Sequence, residues 1–453
     1  MKFRFFLAAS VLSFSSGAQG QIRAVRPPHT AAANEELGSS GIDAGDYVYV
    51  SGQGPLLVDG GTPANFADQV RQSLDNIKSV VQAAGLTMAH VVYVQVYLRN
   101  INRYVELNNV FADYFPSDPP ARAVLGVARL PQEEEIQINA VAVRDLKGKQ
   151  PVSEPNSPLA KGYSPGMLTY DRLFVSTMPG NDVSTGTVPQ DPATQVNLAL
   201  DHMSSVLQAA GLTMAHMVFV NPYLTSEVPM RIMNQQYARR FEFGNTPARA
   251  TIEVSSLPQS AHIAYTGVAV RDLKSRRSIR PKNMPPSPTA SPCVFAGDTL
   301  YCSAKSGFIP GPNGGVYAAT TTDQTRQTMR NLLDNLEEAD LSFDQVVATT
   351  IYLDDLSDSP LFAKVYKKYF SRILPAEATL QQIPSVERKP DAEGHYPDLE
   401  QMSLIAVRLR GTANPHPVPY GSQRAKSLNC ESLPKNSRQD ERGCSCLKSN
   451  GGV

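Results

Sequence analysis

The string PARAVLGVARLP (Pro120–Pro131) recurs as PARATIEVSSLP (Pro247–Pro258). Each copy places one arginine, Arg122 or Arg249, at the start of a strand-like apolar run. A guanidinium is a planar fork with two parallel donors, and it stays charged at any ordinary pH. On the residues alone two roles stand side by side: a clamp for a substrate carboxylate, or a structural salt bridge. A third near-copy, PAEATLQQIPSV (Pro375–Val386), carries Glu377 in place of the arginine. Two like charges at about 4 Å repel by roughly 1 kcal/mol in water and about 4 near a protein surface. The third copy is therefore expected to bind no carboxylate there, and Glu377 to be structural, pairing with a basic residue of a neighbouring unit.

The elements that position these residues are also written three times. VVQAAGLTMAHVVYV (Val80–Val94) returns as VLQAAGLTMAHMVFV (Val206–Val220), and VAVRDLK at Val141 returns at Val268. The third copy is diverged and carries an insertion, ERKPDAEGHYPD. A period this long is a whole domain and not a solenoid unit. Each unit opens with an aromatic and β-branched strand, at Asp46, Asp171 and Asp298. An amphipathic helix follows: Phe66, Val70, Leu74, Ile77, Val81 and Ala84 share one face, as do Val196, Leu200, Met203, Leu207 and Ala210. Gly85 and Gly211 supply the left-handed stop. An apolar strand, a second helix and two closing strands complete the unit. The fold class is α+β, a mixed sheet with two helices on one face, and the other face of each sheet must be covered by the neighbouring units.

A chain of 453 residues, 42% hydrophobic and 19% charged, is long enough for about three ordinary domains. Lys plus Arg balance Asp plus Glu at 42 each, so the overall positive field that accompanies nucleic-acid binding is missing. Lys2, Arg4, the apolar FFLAASVLSF and the small residues of SSGAQG read as a signal peptide over 1–20, too short to span a bilayer. An exported protein, periplasmic or secreted, is expected, with the five cysteines (Cys293, Cys302, Cys430, Cys444, Cys446) partly oxidised and at least one thiol left over. The CxC of Cys444 and Cys446 falls in a polar tail, 412–453, read as disordered. His90 and His216, in the repeated TMAH, are read as surface residues at a strand start.

VSGQGPL at Val50, AAGLTMAHVVYVQVYL, NNVFADYF at Asn108, PARAVLGVARLP and INAVAVRD together resemble the RidA family, also called YjgF/YER057c/UK114 or endoribonuclease L-PSP. The resemblance covers modules at 28–148, 149–275 and, degenerate, 280–411. It implies a chorismate-mutase-like module. It also implies that the three modules pack as an intramolecular pseudo-trimer, a monomer with ligand clefts at the module junctions. The implied activity is hydrolysis of reactive enamines and imines of the 2-aminoacrylate type to keto acid and ammonia. No cofactor or metal is implied, and the partner is a small carboxylate-bearing metabolite, with neither nucleic acid nor membrane. The alternative is a pseudo-trimer that binds a carboxylate without turning it over; a ribonuclease, as in the older family label, is a third.

Carried over residue by residue, the resemblance makes Arg122 and Arg249 the carboxylate ligands. The family tyrosine matches Tyr163, while Gly38 and Ala290 stand at the same place in the other modules. The helix asparagine matches Asn108 and Asn234, against Ala363 in the third. The strand serine matches Ser51, Ser176 and Ser303. The family glutamate assigned to water activation is replaced by Asn139, Thr266 and Ser403; Asn139 and Thr266 are candidates for positioning the water, but neither is an effective general base.

Overall fold

The computed structural model describes residues 21–28, 37–153, 162–182, 184–282, 284–311, 315–383 and 387–409. The signal-peptide and tail expectations, with Cys430, Cys444 and Cys446, lie outside the described residues. No helix among the described residues is long and apolar enough to cross a membrane.

The first module contains β1 (Arg23–Val25), β2 (Gly41–Asp43), β3 (Tyr47–Gln53), α1 (Phe66–Ala83), β4 (Val91–Leu98), α2 (Tyr104–Tyr114), β5 (Ala121–Gly126) and β6 (Ile136–Val143). Its sheet order is β1-β2-β3-β6-β4-β5, with β4 and β5 parallel. The second contains β7 (Gln150–Val152), β8 (Gly166–Leu168), β9 (Arg172–Pro179), α3 (Pro192–Ala209), β10 (Met217–Leu224), α4 (Met230–Ala238), β11 (Ala248–Arg249), β12 (Ile252–Glu253) and β13 (Ile263–Val270). The third contains β14 (Arg276–Ile279), β15 (Cys293–Ala296), β16 (Thr299–Ser306), α5 (Thr321–Glu338), β17 (Val346–Leu353), α6 (Ser359–Tyr366), β18 (Ala376–Gln381) and β19 (Glu400–Val407). The three sheets share one order, the PAR strand being split into β11 and β12 in the second. Each is a mixed sheet, and each module's α-helices contribute to the core on one of its faces.

The long helices begin on capping side chains that satisfy free N–H groups of the first turn: Asn65, Asp191 and Thr320. Two of them stop at a glycine with positive φ, Gly85 at 77° and Gly211 at 74°; the third stops at Asp340 with φ 56°. Strand periodicity sorts the side chains. In β6, Ile136, Ile138, Ala140 and Ala142 pack with the α1 stripe. In β5, Val124 joins that core, while Ala121, Ala123 and Leu125 join clusters drawn from all three modules.

Two such shared clusters lie where the sheets meet. One gathers Tyr49, Phe174 and Tyr301; the other gathers Tyr97, Tyr223 and Tyr352. Three equivalent junctions join the modules. Ser164 N–H donates to the Pro120 carbonyl, Ser291 N–H to that of Pro247, and Ser39 N–H to that of Pro375, at 3.0–3.1 Å. The last of these brings the third module back to the first.

Cys293 and Cys302 face each other on β15 and β16 and form a disulfide in the third module's core. The sequence left this pairing open.

Candidate functional site

At the junction of modules one and two, the expected residues come together. Arg122 is buried, with 2% of its surface exposed. Its Nη2 donates to Asn108 Oδ1 at 2.5 Å, and its guanidinium carbon lies 4.7 Å from the Tyr163 ring and 4.8 Å from Phe111. Asn108 comes from α2 of the same module, whereas Tyr163 comes from the next. Arg122 Nη1 is buried without a hydrogen-bond partner. Burial lowers the Arg122 pKa, and what opposes this is the phenols of Tyr104, within hydrogen-bonding reach, and Tyr163 and not a carboxylate. Arg122, Tyr104, Val124, Tyr163 and Thr177 line a cleft of about 420 Å³.

A second cleft repeats the frame with different walls. Arg249 Nη1 donates to Asn234 Oδ1 at 2.7 Å, and the guanidinium lies over Tyr237 at 5.3 Å. Burial lowers this pKa too, and again only tyrosines act on it. Ala290 lines this cleft where the first has Tyr163, and the cavity with its open mouth is about 1490 Å³. Lys305 and Gln401 line it as well. Gln401 Nε2 donates to the Thr251 carbonyl at 3.3 Å, and Thr251 Oγ1 is buried without a partner.

The third junction has Glu377 in place of the arginine. Glu377 accepts a hydrogen bond from Thr379 Oγ1 at 2.6 Å, and burial pushes its pKa up to about 7. A Cβ on Gly38 would lie 2.5 Å from Glu377 Cγ, so no tyrosine fits there. Among the described residues no basic group acts on Glu377; its partner is a hydroxyl and not the cation expected from the sequence.

Arg172 shows what a structural arginine looks like in this chain. It is 3% exposed, bonds Asp171 Oδ2 at 2.6 Å and Tyr301 at 2.8 Å, and sits 4.3 Å from the Tyr47 ring. Arg122 and Arg249 have no such counter-ion among the described residues.

The three serines have their hydroxyls engaged by backbone. Ser176 Oγ accepts from Arg122 N–H at 2.7 Å and donates to the Ser164 carbonyl at 2.6 Å. Ser303 does the same for Arg249 and Ser291, and Ser51 for Glu377 and Ser39. Asn139 and Thr266 do not meet the arginines. Asn139 alternates with the core residues Ile138 and Ala140 and so faces the other side of the sheet. Both line a central cavity with Tyr93, Gln95 and Ser403. There Tyr93 OH lies 3.4 Å from Thr266 Oγ1, whose proton goes to the Val175 carbonyl. His90 Nδ1 accepts from Thr87 N–H at 3.2 Å, and His216 repeats this with Thr213, which gives both histidines a turn-capping role. Among the described residues one cluster is close enough to hold a cation, the exposed Asp391, Glu393 and His395 of the insertion.

Sequence reasoning did not find Lys305 or Tyr104. Lys305 stands two residues after Ser303, where the other modules have Gln53 and Met178, and that substitution was the available signal.

Comparison with known proteins places this geometry. A family model described as Endoribonuclease L-PSP matches residues 30–144, 154–270 and 283–389. A RutC family protein of Pyrococcus horikoshii is 38% identical over 109 residues, 24% of this chain and 86% of the relative. The 2-iminobutanoate/2-iminopropanoate deaminase of Escherichia coli is 40% identical over 108 residues, 23% of this chain and 84% of that enzyme. The crystal structure of the YjgF gene product of E. coli aligns at 35% identity and a TM-score of 0.26, over 27% of this chain and 99% of that one. With three matched modules that take up most of its length, the chain belongs to the endoribonuclease L-PSP family.

Proposed function

We propose that the chain is an imine or enamine deaminase acting on small 2-imino acids, with the substrate carboxylate held by Arg122 or Arg249. The observation that carries this is the buried, unpartnered Nη1 of Arg122, beside an Nη2 already fixed by Asn108. A buried donor left unsatisfied is costly, and a carboxylate entering the cleft relieves that cost with a charge-assisted bond. The name of the E. coli relative, 40% identical, supports the same chemistry.

In the reaction, water adds to the C=N carbon as the π pair moves to nitrogen. One proton passes from the added oxygen to nitrogen to give the carbinolamine, the second oxygen proton follows it, and the oxygen lone pair closes the C=O bond as the C–N bond breaks, so that keto acid and ammonia leave. The arginine fork orients the electrophilic carbon, and positioning of this kind supplies much of a rate. In the second cleft the Thr251 hydroxyl is a free polar group that can hold the attacking water.

One observation favours a second reading, capture without turnover. Asn139 and Thr266, at the family glutamate position, face the central cavity and not the arginine clefts. A ribonuclease gains nothing from the charge balance, 42 against 42. The three like-built junctions support a monomeric pseudo-trimer, and the Cys293–Cys302 bond supports an oxidising compartment outside the cytosol.

The deciding measurement is ammonia release from 2-iminopropanoate generated in situ by an amino-acid oxidase. Turnover that falls by two orders of magnitude or more in the Arg122→Ala, Arg249→Ala double variant supports the enzyme. Carboxylate binding without ammonia release supports capture, and turnover retained in the double variant removes the clamp.

A further inference from the structure

The two arginine clefts differ in more than size. In the first, Tyr163 closes over Arg122 at 4.7 Å, and the strand position two after Ser176 is Met178, buried in the module core. In the second, alanine replaces that tyrosine, and the strand position two after Ser303 is Lys305, which lines the same cavity as Arg249. Lys305 is half-buried, forms no ion pair within the described residues, and its pKa is lowered by burial with no acid raising it. A cation held in a cleft with nothing to balance it is attracted to an anionic ligand. Arg249 is in the same position on the module-two wall of that cleft.

We infer that the second cleft is built for a dianionic ligand, a short dicarboxylic 2-imino acid or its keto acid, with one carboxylate on Arg249 and the other on Lys305. The first cleft, with one cation and a closing aromatic ring, takes monocarboxylates. This rests on the carboxylate role given above to Arg249. Among the described residues, neither of the two acids on the cavity wall, Glu253 and Asp398, forms an ion pair with Arg249 or Lys305. Fusion of three modules in one chain is what allows the clefts to differ, because identical subunits would have to carry identical sites.

The test is calorimetric binding of two stable probes, 2-oxobutanoate and 2-oxoglutarate, to the full chain carrying Arg122→Ala so that only the second cleft reports. Lys305→Met and Lys305→Gln, the residues of the other two modules at this place, are then added in turn. The expected result is at least a tenfold loss of 2-oxoglutarate affinity in both, with 2-oxobutanoate affinity unchanged. Equal loss for both probes, or loss for neither, overturns the inference while leaving the Arg249 clamp standing. If adding Arg249→Ala in place of the lysine changes are without effect on either probe, the clamp itself fails.

Discussion

Ser51 Oγ accepts the backbone N–H of Glu377 at 2.8 Å, across 326 positions of chain. The same contact joins Ser176 to Arg122 and Ser303 to Arg249, each across 54 positions. One hydroxyl at the end of each opening strand thus ties it to the PAR or PAE strand of the module before, and the long-range member of the set links the last module to the first. Ser51→Ala leaves the Glu377 N–H and the Ser39 carbonyl each without a partner. The expected loss is about 1–3 kcal/mol, read as a lower urea midpoint at unchanged m-value. No shift in midpoint would mean that this junction contributes nothing to stability.

Asn108 holds one arm of Arg122 and leaves the other open. In Asn108→Ala the guanidinium loses its fixed direction but keeps its charge and the Tyr163 and Phe111 faces. Monocarboxylate affinity at the first cleft is expected to fall about tenfold, roughly the 1.4 kcal/mol of one hydrogen bond to a charged group. Titration of 2-oxobutanoate into an Arg249→Ala background isolates that cleft. An unchanged affinity would separate Asn108 from ligand binding.

Much of this was legible in the sequence. The helix stripe from Phe66 to Val81 is buried along one face because apolar residues at spacings of three and four have no other way to leave water. The grouping of Arg122, Asn108 and Tyr163 followed from the family resemblance carried over residue by residue. The hairpin strands β1, β7 and β14 were not legible: they hold three or four residues and lack a periodic pattern. Nor was the face on which Asn139 and Thr266 lie, since that depends on register and bulges in β6 and β13, such as the shift between Tyr265 and Gly267. Lys305 was hidden in the diverged module, where repeat comparison is weakest.

The Cys293–Cys302 bond crosses two adjacent strands of the third core. Closing so short a loop contributes about 2–3 kcal/mol by restricting the unfolded chain. Reductant is therefore expected to lower the thermal midpoint of the wild type and leave a Cys293→Ala, Cys302→Ala variant unmoved. Alkylation of the unfolded, unreduced protein should spare both residues, as peptide mapping can read. Labelling of either one before reduction would show that the bond does not form.

Glu377 gives the fold a pH dependence of known sign. Burial raises its carboxyl from the ordinary 4.5 to about 7, with Thr379 as the donor that opposes the shift. Below the unfolded value both states hold the proton and the group is neutral in its effect. As pH rises from 4.5 toward 7 the unfolded chain releases the proton while the native chain keeps it, so stability falls, and above 7 the loss is complete. The full difference is at most about 3–4 kcal/mol, from about 2.5 pKa units at 1.36 kcal/mol each. Glu134 and Glu400, each pushed up to about 8 by burial, act with the same sign, so the wild-type curve alone does not isolate Glu377. Glu377→Gln keeps an acceptor for Thr379 and removes the titration. Urea unfolding at pH 5 and pH 8 should show the variant more stable than the wild type at pH 8 and close to it at pH 5. A variant no better at pH 8 than at pH 5, relative to the wild type, would mean that the carboxylate is solvated in the native state and that the third junction stays open to water.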